Sequence, residues 1–406
     1  MAPGIVVGRA SSSGVCRAAG GRKATDGMLM SVKLGPPRAC ASHEGDPSSP
    51  LLRRDSGCPN IFTVTGSYRD AQEAMTERER FRRLMRGDAV DRPPLLEEGV
   101  RKAVLRQWHG EGLPPGSTHV TLFGLTPHEN IGPDLTYADR HFGHLFALLA
   151  REYRRAFNVS RRRFPHDWLR TVERLEHREH IVCVSASRGL FQALGVGDWP
   201  TLEQVLLATL ERPASVRDRL EMYGDFCARM LDLTLEDVDP EFIHLSEPIS
   251  DNTGPLISPT MFSEFMLPVY ERIIAVARRH GCNNILVTTY GNSARLFPAM
   301  IKAGVTMLWL AEAPDVPELD YRALRSQFGP TLGLIGGIPL DILRDAPIER
   351  IAERLEAIVP PLLSEGRYVP LAGGRVRAGV SWAAYRRYRE VLAKMMGGST
   401  VGRLGG

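Results

Sequence analysis

Short apolar runs alternate with amphipathic helical runs along most of the chain, and this alternation constrains the fold more than any other feature. One unit illustrates it. Ser258 and Pro259 have the pattern of an N-cap followed by a proline at the first helical position. Apolar residues then recur at helical spacing until Gly281, and the apolar run 285–289 follows. The repeated order predicts βαβ units and a parallel sheet.

Eight runs are candidate strands, and they are mostly apolar rather than alternating, which is typical of strands buried on both faces. Eight strands alternating with helices favour an α/β fold with a single distorted (β/α)8 barrel of the TIM type over an open doubly wound sheet. No glycine-rich dinucleotide fingerprint follows any of them. The candidate strands are residues 94–97, 120–124, 181–185, 242–246, 285–289, 306–310, 332–335 and 368–371.

The first 74 residues differ from the rest of the chain. They are rich in Gly, Ser, Ala and Pro and have no sustained apolar period, so they cannot bury enough surface to become ordered. Thr76 and Glu79 then have the spacing of a capping box, directly after Met75. We therefore expect a disordered leader over 1–74 with Met75 as a candidate natural start, the barrel over 75–397, and a disordered tail over 398–406.

Composition excludes several classes of function. No run approaches the roughly 18 apolar residues that a membrane span needs. The net charge of +4 is not concentrated in a basic stripe, as nucleic-acid binding would require. The six cysteines have no metal-type spacing and imply no disulfide framework. We expect a cytoplasmic protein whose partner is a small molecule, without nucleic acid or membrane.

Residues that directly follow the candidate strands are the candidate site, because that end of a parallel barrel holds the ligand. Glu247 and Glu312 each close an apolar run and are the predicted catalytic carboxylates. Arg188 follows another run and is predicted to clamp a carboxylate with its planar guanidinium. The other predicted substrate-binding residues are Glu97, Tyr290, Asn292, Gly336 and Gly337.

Each candidate also has a purely structural interpretation. Glu97 and its neighbour Glu98 could be solvated loop carboxylates, and Asn292 could cap a helix. The glycine pair 336–337 could serve close packing alone. His244 lies within a candidate strand and is interpreted as a core histidine with satisfied hydrogen bonds.

An ordered set of segments resembles the uroporphyrinogen decarboxylase superfamily, in the broad sense that includes corrinoid-dependent methyltransferases. The set spans about residues 75–394, which makes the chain similar to a divergent member. The resemblance implies a distorted (β/α)8 barrel with a deep pocket at the strand C-termini, and a homodimer as its assembly. The segments are TERERFRRLMRGDAVDRPP, DNTGPLISPTMFSEFMLPVYERI, VTTYGNSARLFPAMIKAG, LGLIGGIPLDIL, LLSEGRYVP and VSWAAYRRYREVL.

Two departures from the family pattern bear on the reaction. True uroporphyrinogen decarboxylases have an early arginine-rich segment, and at its position this chain has LLEEGVRKAVLRQWHGEG. They also have a late Gly-His-Gly segment, and at its position this chain has LAGGRVRAGVS. Porphyrinogen decarboxylation is therefore not expected. The zinc-dependent methyltransferases need His-x-Cys and a later Cys, and the matching positions are Thr288, Tyr290 and Gly374. We expect no metal.

The resemblance thus implies a carbon–carbon lyase, a decarboxylase, that acts on a small carboxylate-bearing substrate without a cofactor. Arg188 would clamp the substrate, Tyr290 and Asn292 would position it, and Glu247 or Glu312 would act as acid or base with a pKa raised by burial. Two alternatives stay open. One is a methyltransferase that lacks the zinc ligands and uses a corrinoid partner, and the other is a non-catalytic ligand-binding barrel.

Overall fold

A computed structural model describes residues 75–136 and 150–397. The predicted leader over 1–74 and the tail over 398–406 lie outside these ranges. The described residues contain one parallel sheet of seven strands, which lie side by side in the order of the chain. They are β1 (His128–Ile131), β2 (Ile181–Ser187), β3 (Phe242–Glu247), β4 (Ile285–Tyr290), β5 (Met307–Ala311), β6 (Gly333–Ile338) and β7 (Tyr368–Ala372).

The α-helices of the described residues flank and connect these strands, and none of them is long and apolar enough to cross a membrane. They are α1 (Glu77–Arg86), α2 (Lys102–Gly110), α3 (His119–Phe123), α4 (Ala150–Ala156), α5 (Trp168–Leu175), α6 (Leu190–Ala193), α7 (Trp199–Glu211), α8 (Pro213–Leu235), α9 (Pro259–Phe265), α10 (Leu267–Arg279), α11 (Phe297–Ala303), α12 (Tyr321–Phe328), α13 (Asp341–Arg344), α14 (Ile351–Glu365) and α15 (Trp382–Met395). Short 3-10 helices cover Arg161–Arg163, Ala294–Leu296, Pro317–Leu319 and Ile348–Arg350.

The two faces of the sheet pack in different ways. Alternate residues of β2–β7 meet in one small apolar cluster with the buried face of α1, which is possible only on the concave face of a curled sheet. The residues between them face outward and join the larger core beneath the surrounding helices. The concave cluster consists of Phe81, Leu84, Met85, Leu96, Ile181, Cys183, Phe242, Leu286, Met307, Ile335, Val369 and Leu371. It forms an apolar floor on which α1 packs.

A segment over residues 94–100, in which only Val100 forms a bridge, lies between the two ends of the sheet. Thr126, just before β1, donates its N–H to the Leu95 carbonyl at 3.0 Å. At the other end Val100 pairs in parallel with Val376, and the Val376 N–H donates to the Gly99 carbonyl at 2.9 Å. The predicted strand 94–97 is therefore not a strand, although its segment contacts both ends of the sheet, and the sheet has seven strands where eight were predicted.

The prediction of a strand over 120–124 is wrong, because these residues belong to α3. Thr118 and Thr121 cap each other reciprocally, and Gly124 ends the helix with a φ of 53°. The strand at this point in the sheet comes later, as β1. The other six predicted strands are confirmed as β2–β7, with ends that differ by a few residues.

Candidate functional site

The concave face is open to solvent above its apolar floor. β1 pairs in register with β2, so His128 and Asn130 face the same way as Ile181 and Cys183, which are part of the floor. Both His128 and Asn130 are nevertheless exposed. We call the space in front of this face the interior.

A row of polar side chains crosses the interior on four neighbouring strands. The Asn130 amide Nδ2 donates to Ser185 Oγ at 2.7 Å. Ser185 Oγ lies 3.3 Å from His244 Nδ1, and His244 Nε2 lies 2.9 Å from Thr288 Oγ1. Burial lowers the pKa of His244 to about 4, so its ring is neutral at pH 7. His244 is satisfied in its hydrogen bonds, as interpreted, and it also lies on the wall of the interior.

Charged and phenolic groups surround the end of the interior at the strand C-termini, which we call the mouth. Tyr290, the last residue of β4, hydrogen-bonds Ser246. Burial raises the pKa of the Tyr290 hydroxyl, the nearby Glu98 raises it further, and Arg375 opposes this. Burial also raises the pKa of Glu98, while Arg375 and Arg377 lower it. The mouth therefore combines one carboxyl, one phenol and two guanidinium groups.

The carboxyl of Glu98 is incompletely satisfied. Its Oε2 atom is buried and accepts no hydrogen bond from the described residues. A buried carboxylate oxygen without a donor is costly. The protonated form of Glu98 is therefore favoured, or a bound ligand supplies the missing hydrogen-bond donor.

Glu312 lies beside the mouth rather than inside it. It directly follows β5 with a φ of 53°, a left-handed conformation that is uncommon for a residue with a side chain. Its carboxylate forms an ion pair with Arg377. Both residues line a cleft of about 490 Å3 next to the loops that follow β5 and β6. Arg377 therefore connects Glu312 with Glu98, which also acts on it electrostatically.

The structure places Glu247 outside the interior, contrary to the expectation that it opens onto the pocket. Side chains alternate along β3, so Ser246 faces inward and Glu247 faces the helices. The Glu247 carboxyl is fully buried and accepts from the Leu190 N–H at 2.9 Å and the Tyr270 hydroxyl at 3.0 Å. Burial raises its pKa to about 7. Glu247 is not brought together with Tyr290 or Glu312.

Glu97 also faces away from the interior. It pairs with Arg389 of α15 at 3.5 Å, and the Tyr385 hydroxyl lies 3.4 Å from the same carboxylate oxygen. Burial raises the pKa of Glu97 to about 7, and Arg389 opposes this. The structure thus gives Glu97 a contact within the protein in place of the predicted contact with substrate.

Asn292 and Arg188 follow β4 and β2. The Asn292 side chain accepts from the Ala294 N–H at 3.2 Å and donates to Glu318 at 3.0 Å, whereas the N-cap of the following 3-10 helix is Ser293. Arg188 is half-buried, and its backbone N–H donates to the Tyr223 hydroxyl at 2.9 Å. Its guanidinium has no ion pair with any residue that the structure describes. Arg188 is thus the predicted binding residue that remains available to a ligand.

The predicted substrate contacts Gly336 and Gly337 lie against Tyr321. A Cβ on Gly336 would come within 2.8 Å of the Tyr321 hydroxyl, and one on Gly337 within 2.7 Å of its ring. That hydroxyl donates to the Ile335 carbonyl at 2.6 Å and accepts from the Leu310 N–H at 3.1 Å, so it ties β5 to β6. Close packing therefore accounts for both glycines.

Sequence reasoning missed Arg375 and Arg377, although a signal was present. The segment LAGGRVRAGVS follows β7, and its two arginines are separated by one apolar residue, Val376. In extended chain, residues two apart face the same side. The arginines could therefore have been assigned to the mouth together.

Among the described residues, no group of three His, Cys, Asp or Glu side chains is placed to hold a metal ion. Thr288 and Tyr290, which stand where zinc ligands would be, bond to His244 and Ser246 instead.

Residues 193–389 match the family model described as uroporphyrinogen decarboxylase (URO-D). Over these residues, just under half of the chain, the sequence is similar to the uroporphyrinogen decarboxylase family. The resemblance drawn from the sequence is confirmed there, and the URO-D match includes β3–β7, His244, Tyr290 and both mouth arginines. Glu98, β1 and β2 precede it.

Two solved structures are similar to this chain at low levels. A dihydropteroate synthase from Anaplasma phagocytophilum with bound 6-hydroxymethylpterin-monophosphate shares 13% identity with a TM-score of 0.30, over 52% of this chain and 72% of that one. The putative vitamin-B12 independent methionine synthase from Listeria monocytogenes shares 11% with a TM-score of 0.33, over 75% and 96%. TM-scores this low carry no weight for fold or activity. No curated protein matches the sequence.

Proposed function

We propose that this protein is a uroporphyrinogen decarboxylase-like barrel enzyme that removes a carboxyl group from a small carboxylate-bearing substrate. The observation that carries the proposal is the group of Arg375, Arg377, Glu98 and Tyr290 at the mouth. We also propose that the segment 94–100 acts as the eighth strand, because it contacts both ends of the sheet.

The two arginines supply the binding energy for the substrate carboxylate. Guanidinium groups pair with carboxylates through two parallel hydrogen bonds. Arg375 has no ion pair among the described residues, so it can accept a new partner without breaking one. Arg377 can exchange its surface ion pair with Glu312 for the substrate at little cost, because exposed pairs contribute only about 0–1 kcal/mol.

Glu98 supplies the proton in this proposal. Loss of CO2 breaks a carbon–carbon bond and leaves the electron pair on the substrate carbon. A carboxyl whose pKa is raised keeps its proton to higher pH, so Glu98 can donate that proton to the carbon. Water then returns one proton to Glu98. The net change is one proton consumed and one CO2 released for each turnover.

The other predicted residues have supporting parts in this scheme. Tyr290 stays protonated because burial raises its pKa, so it can donate a hydrogen bond to the substrate. Arg188 is a second carboxylate clamp, and Glu312 controls where Arg377 points or acts as the acid in place of Glu98. The scheme uses no metal or cofactor, whereas methyl transfer would require a corrinoid partner.

The test is CO2 release from a panel of aliphatic and aromatic mono- and dicarboxylic acids. We expect release with the native protein and a loss of about a hundredfold or more in Arg375→Gln and Glu98→Gln. Arg350→Gln, on an exposed 3-10 helix, is the matched control and should keep full activity. Binding without CO2 release from any acid would indicate a non-catalytic barrel. Methyl transfer from methylcobalamin to a thiol would indicate the methyltransferase alternative.

A further inference from the structure

Two hydrogen-bond donors on neighbouring strands face the interior below the mouth. Thr288 on β4 and Trp309 on β5 are register partners, so their side chains lie on the same face of the sheet. That face is the concave one, because Trp309 packs against the apolar floor. The indole Nε1–H of Trp309 is buried and finds no acceptor among the described residues.

The hydrogen-bond row sets the direction of the Thr288 hydroxyl. The Ser185 backbone N–H donates to Asn130 Oδ1 at 3.2 Å, which fixes the Asn130 amide with its nitrogen toward Ser185 Oγ. Ser185 accepts there, so its hydroxyl hydrogen is available for His244 Nδ1. A neutral imidazole that accepts at Nδ1 carries its hydrogen on Nε2.

With this tautomer, His244 donates to Thr288 Oγ1 across 2.9 Å. The hydroxyl hydrogen of Thr288 is then left over, and no acceptor for it is found in the described residues. Thr288 and Trp309 thus each present one hydrogen without an acceptor, from adjacent positions of the sheet. Buried donors without acceptors cost free energy, and a ligand oxygen would relieve that cost.

We propose that Thr288 and Trp309 form a second binding subsite, for an acceptor oxygen at the inner end of the substrate, and that His244 is the positioning residue that orients Thr288. Gly336 makes room for the indole, since a Cβ there would come within 3.3 Å of the Trp309 ring.

This subsite rests on the proposed function and narrows its substrate class. The arginines of the mouth take one carboxylate, while the inner donors take an oxygen at the opposite end of the molecule. The substrate is therefore a dicarboxylic acid, or a carboxylic acid with a hydroxyl or carbonyl oxygen at its far end. A simple monocarboxylate would leave the inner donors unpaired.

The inner subsite is tested by calorimetric titration of the full chain with glutarate and with butyrate. The two acids have similar carbon chains, but only glutarate has oxygen atoms at its far end. We expect the native protein to bind glutarate on the order of tenfold more tightly, the effect of about one hydrogen bond. Thr288→Val and Trp309→Phe should each abolish this preference and leave the Kd for butyrate unchanged. Thr289→Val is the matched control, because its side chain faces the helices, and it should keep the preference.

The outcomes separate this inference from the proposed function. A preference for glutarate that survives in both Thr288→Val and Trp309→Phe would overturn the subsite and leave the carboxylate site standing. Equal binding of glutarate and butyrate by the native protein would also overturn the subsite and leave the carboxylate site standing. Failure of both acids to bind, together with no CO2 release from any acid of the panel, would overturn both proposals. His244→Asn should reduce the preference while keeping the circular dichroism and Tm of the native protein.

Discussion

Arg389 in the last helix forms an ion pair with Glu97 at the start of the sheet, and each side chain is only 2% exposed. The Arg389 guanidinium also donates to the Leu96 carbonyl at 3.3 Å. This contact joins α15 to the segment 94–100. It therefore stabilises the place where the two ends of the sheet approach each other.

Removing Arg389 should destabilise the protein in a pH-dependent way. Arg389→Met leaves the Glu97 carboxylate buried without its cation, which costs about 3–5 kcal/mol. The folded pKa of Glu97 is raised to about 7 even with Arg389 present and rises further without it, so stability should be highest at low pH and fall as the pH rises above the ordinary carboxyl pKa and through 7. Urea unfolding at pH 5 and pH 8 measures this. Adding Glu97→Gln to Arg389→Met should remove the part of the difference that comes from Glu97 and leave the part that comes from Glu247. Unchanged stability of Glu97→Gln with lost ligand binding would return Glu97 to the substrate site.

Glu247 should make the native protein less stable as the pH rises. Its pKa is raised in the folded state from 4.5 to about 7, so its contribution is fully present below 4.5 and is lost as the pH rises through 7. The change is on the order of 3 kcal/mol. Glu247→Gln should flatten the dependence of the unfolding free energy on pH between 5 and 8, whereas Glu203→Gln, on the exposed face of α7, should not. An unaltered slope together with lost turnover would indicate a catalytic role.

Replacing Glu312 should affect activity more than stability. Glu312→Gln weakens a partly exposed ion pair with Arg377, which is worth about 1 kcal/mol at most. If Glu312 acts as acid or base, turnover should fall on the order of a hundredfold. Parallel measurements of Tm and CO2 release distinguish a catalytic role of Glu312 from a structural one. A loss of several kcal/mol with intact activity would make Glu312 a structural residue.

A Cβ at Gly336 should be strongly destabilising. Gly336→Ala combines a φ of 108° with a clash 2.8 Å from the Tyr321 hydroxyl, and we expect a loss of about 2–3 kcal/mol. The control is Gly329→Ala, where the φ is 81° but no atom lies within 4 Å, and there the loss should be about 1 kcal/mol. Thermal unfolding of the two variants measures both losses of stability. Equal losses would show that packing against Tyr321 is not the reason for the glycine.

We expect the purified protein to carry no stoichiometric zinc. Thr288, Tyr290 and Gly374 stand where the metal-dependent methyltransferases would have their ligands, and none of these side chains binds zinc well. Elemental analysis after dialysis is the measurement. About one zinc per chain would contradict the expectation and favour methyl transfer.

The strands that the sequence predicted correctly are those buried on both faces. Runs such as 285–287 are apolar throughout because one face meets the helices and the other meets the floor. β1, with the sequence HENI, was missed because its inward residues His128 and Asn130 face the open interior. The absence of an apolar pattern there is a consequence of the open interior itself.

The site residues were harder to predict, because one position along a strand reverses the direction of a side chain. The sequence pointed to the strand ends at Glu97 and Glu247, yet the neighbours Glu98 and Ser246 are the residues that line the mouth. Apolar runs do not define register to one residue. Tyr290 was predicted at the site and does line the mouth.

The contact between Arg389 and the Leu96 carbonyl spans 293 positions of the chain, which has a consequence for synthesis. The ribosome adds about 5–20 residues per second, so roughly 15–60 s pass between synthesis of the segment 94–100 and synthesis of Arg389. During that time a nascent chain exposes unpaired strand edges. Pairing between neighbouring nascent chains on one messenger RNA therefore competes with closure, and slower translation prolongs that competition.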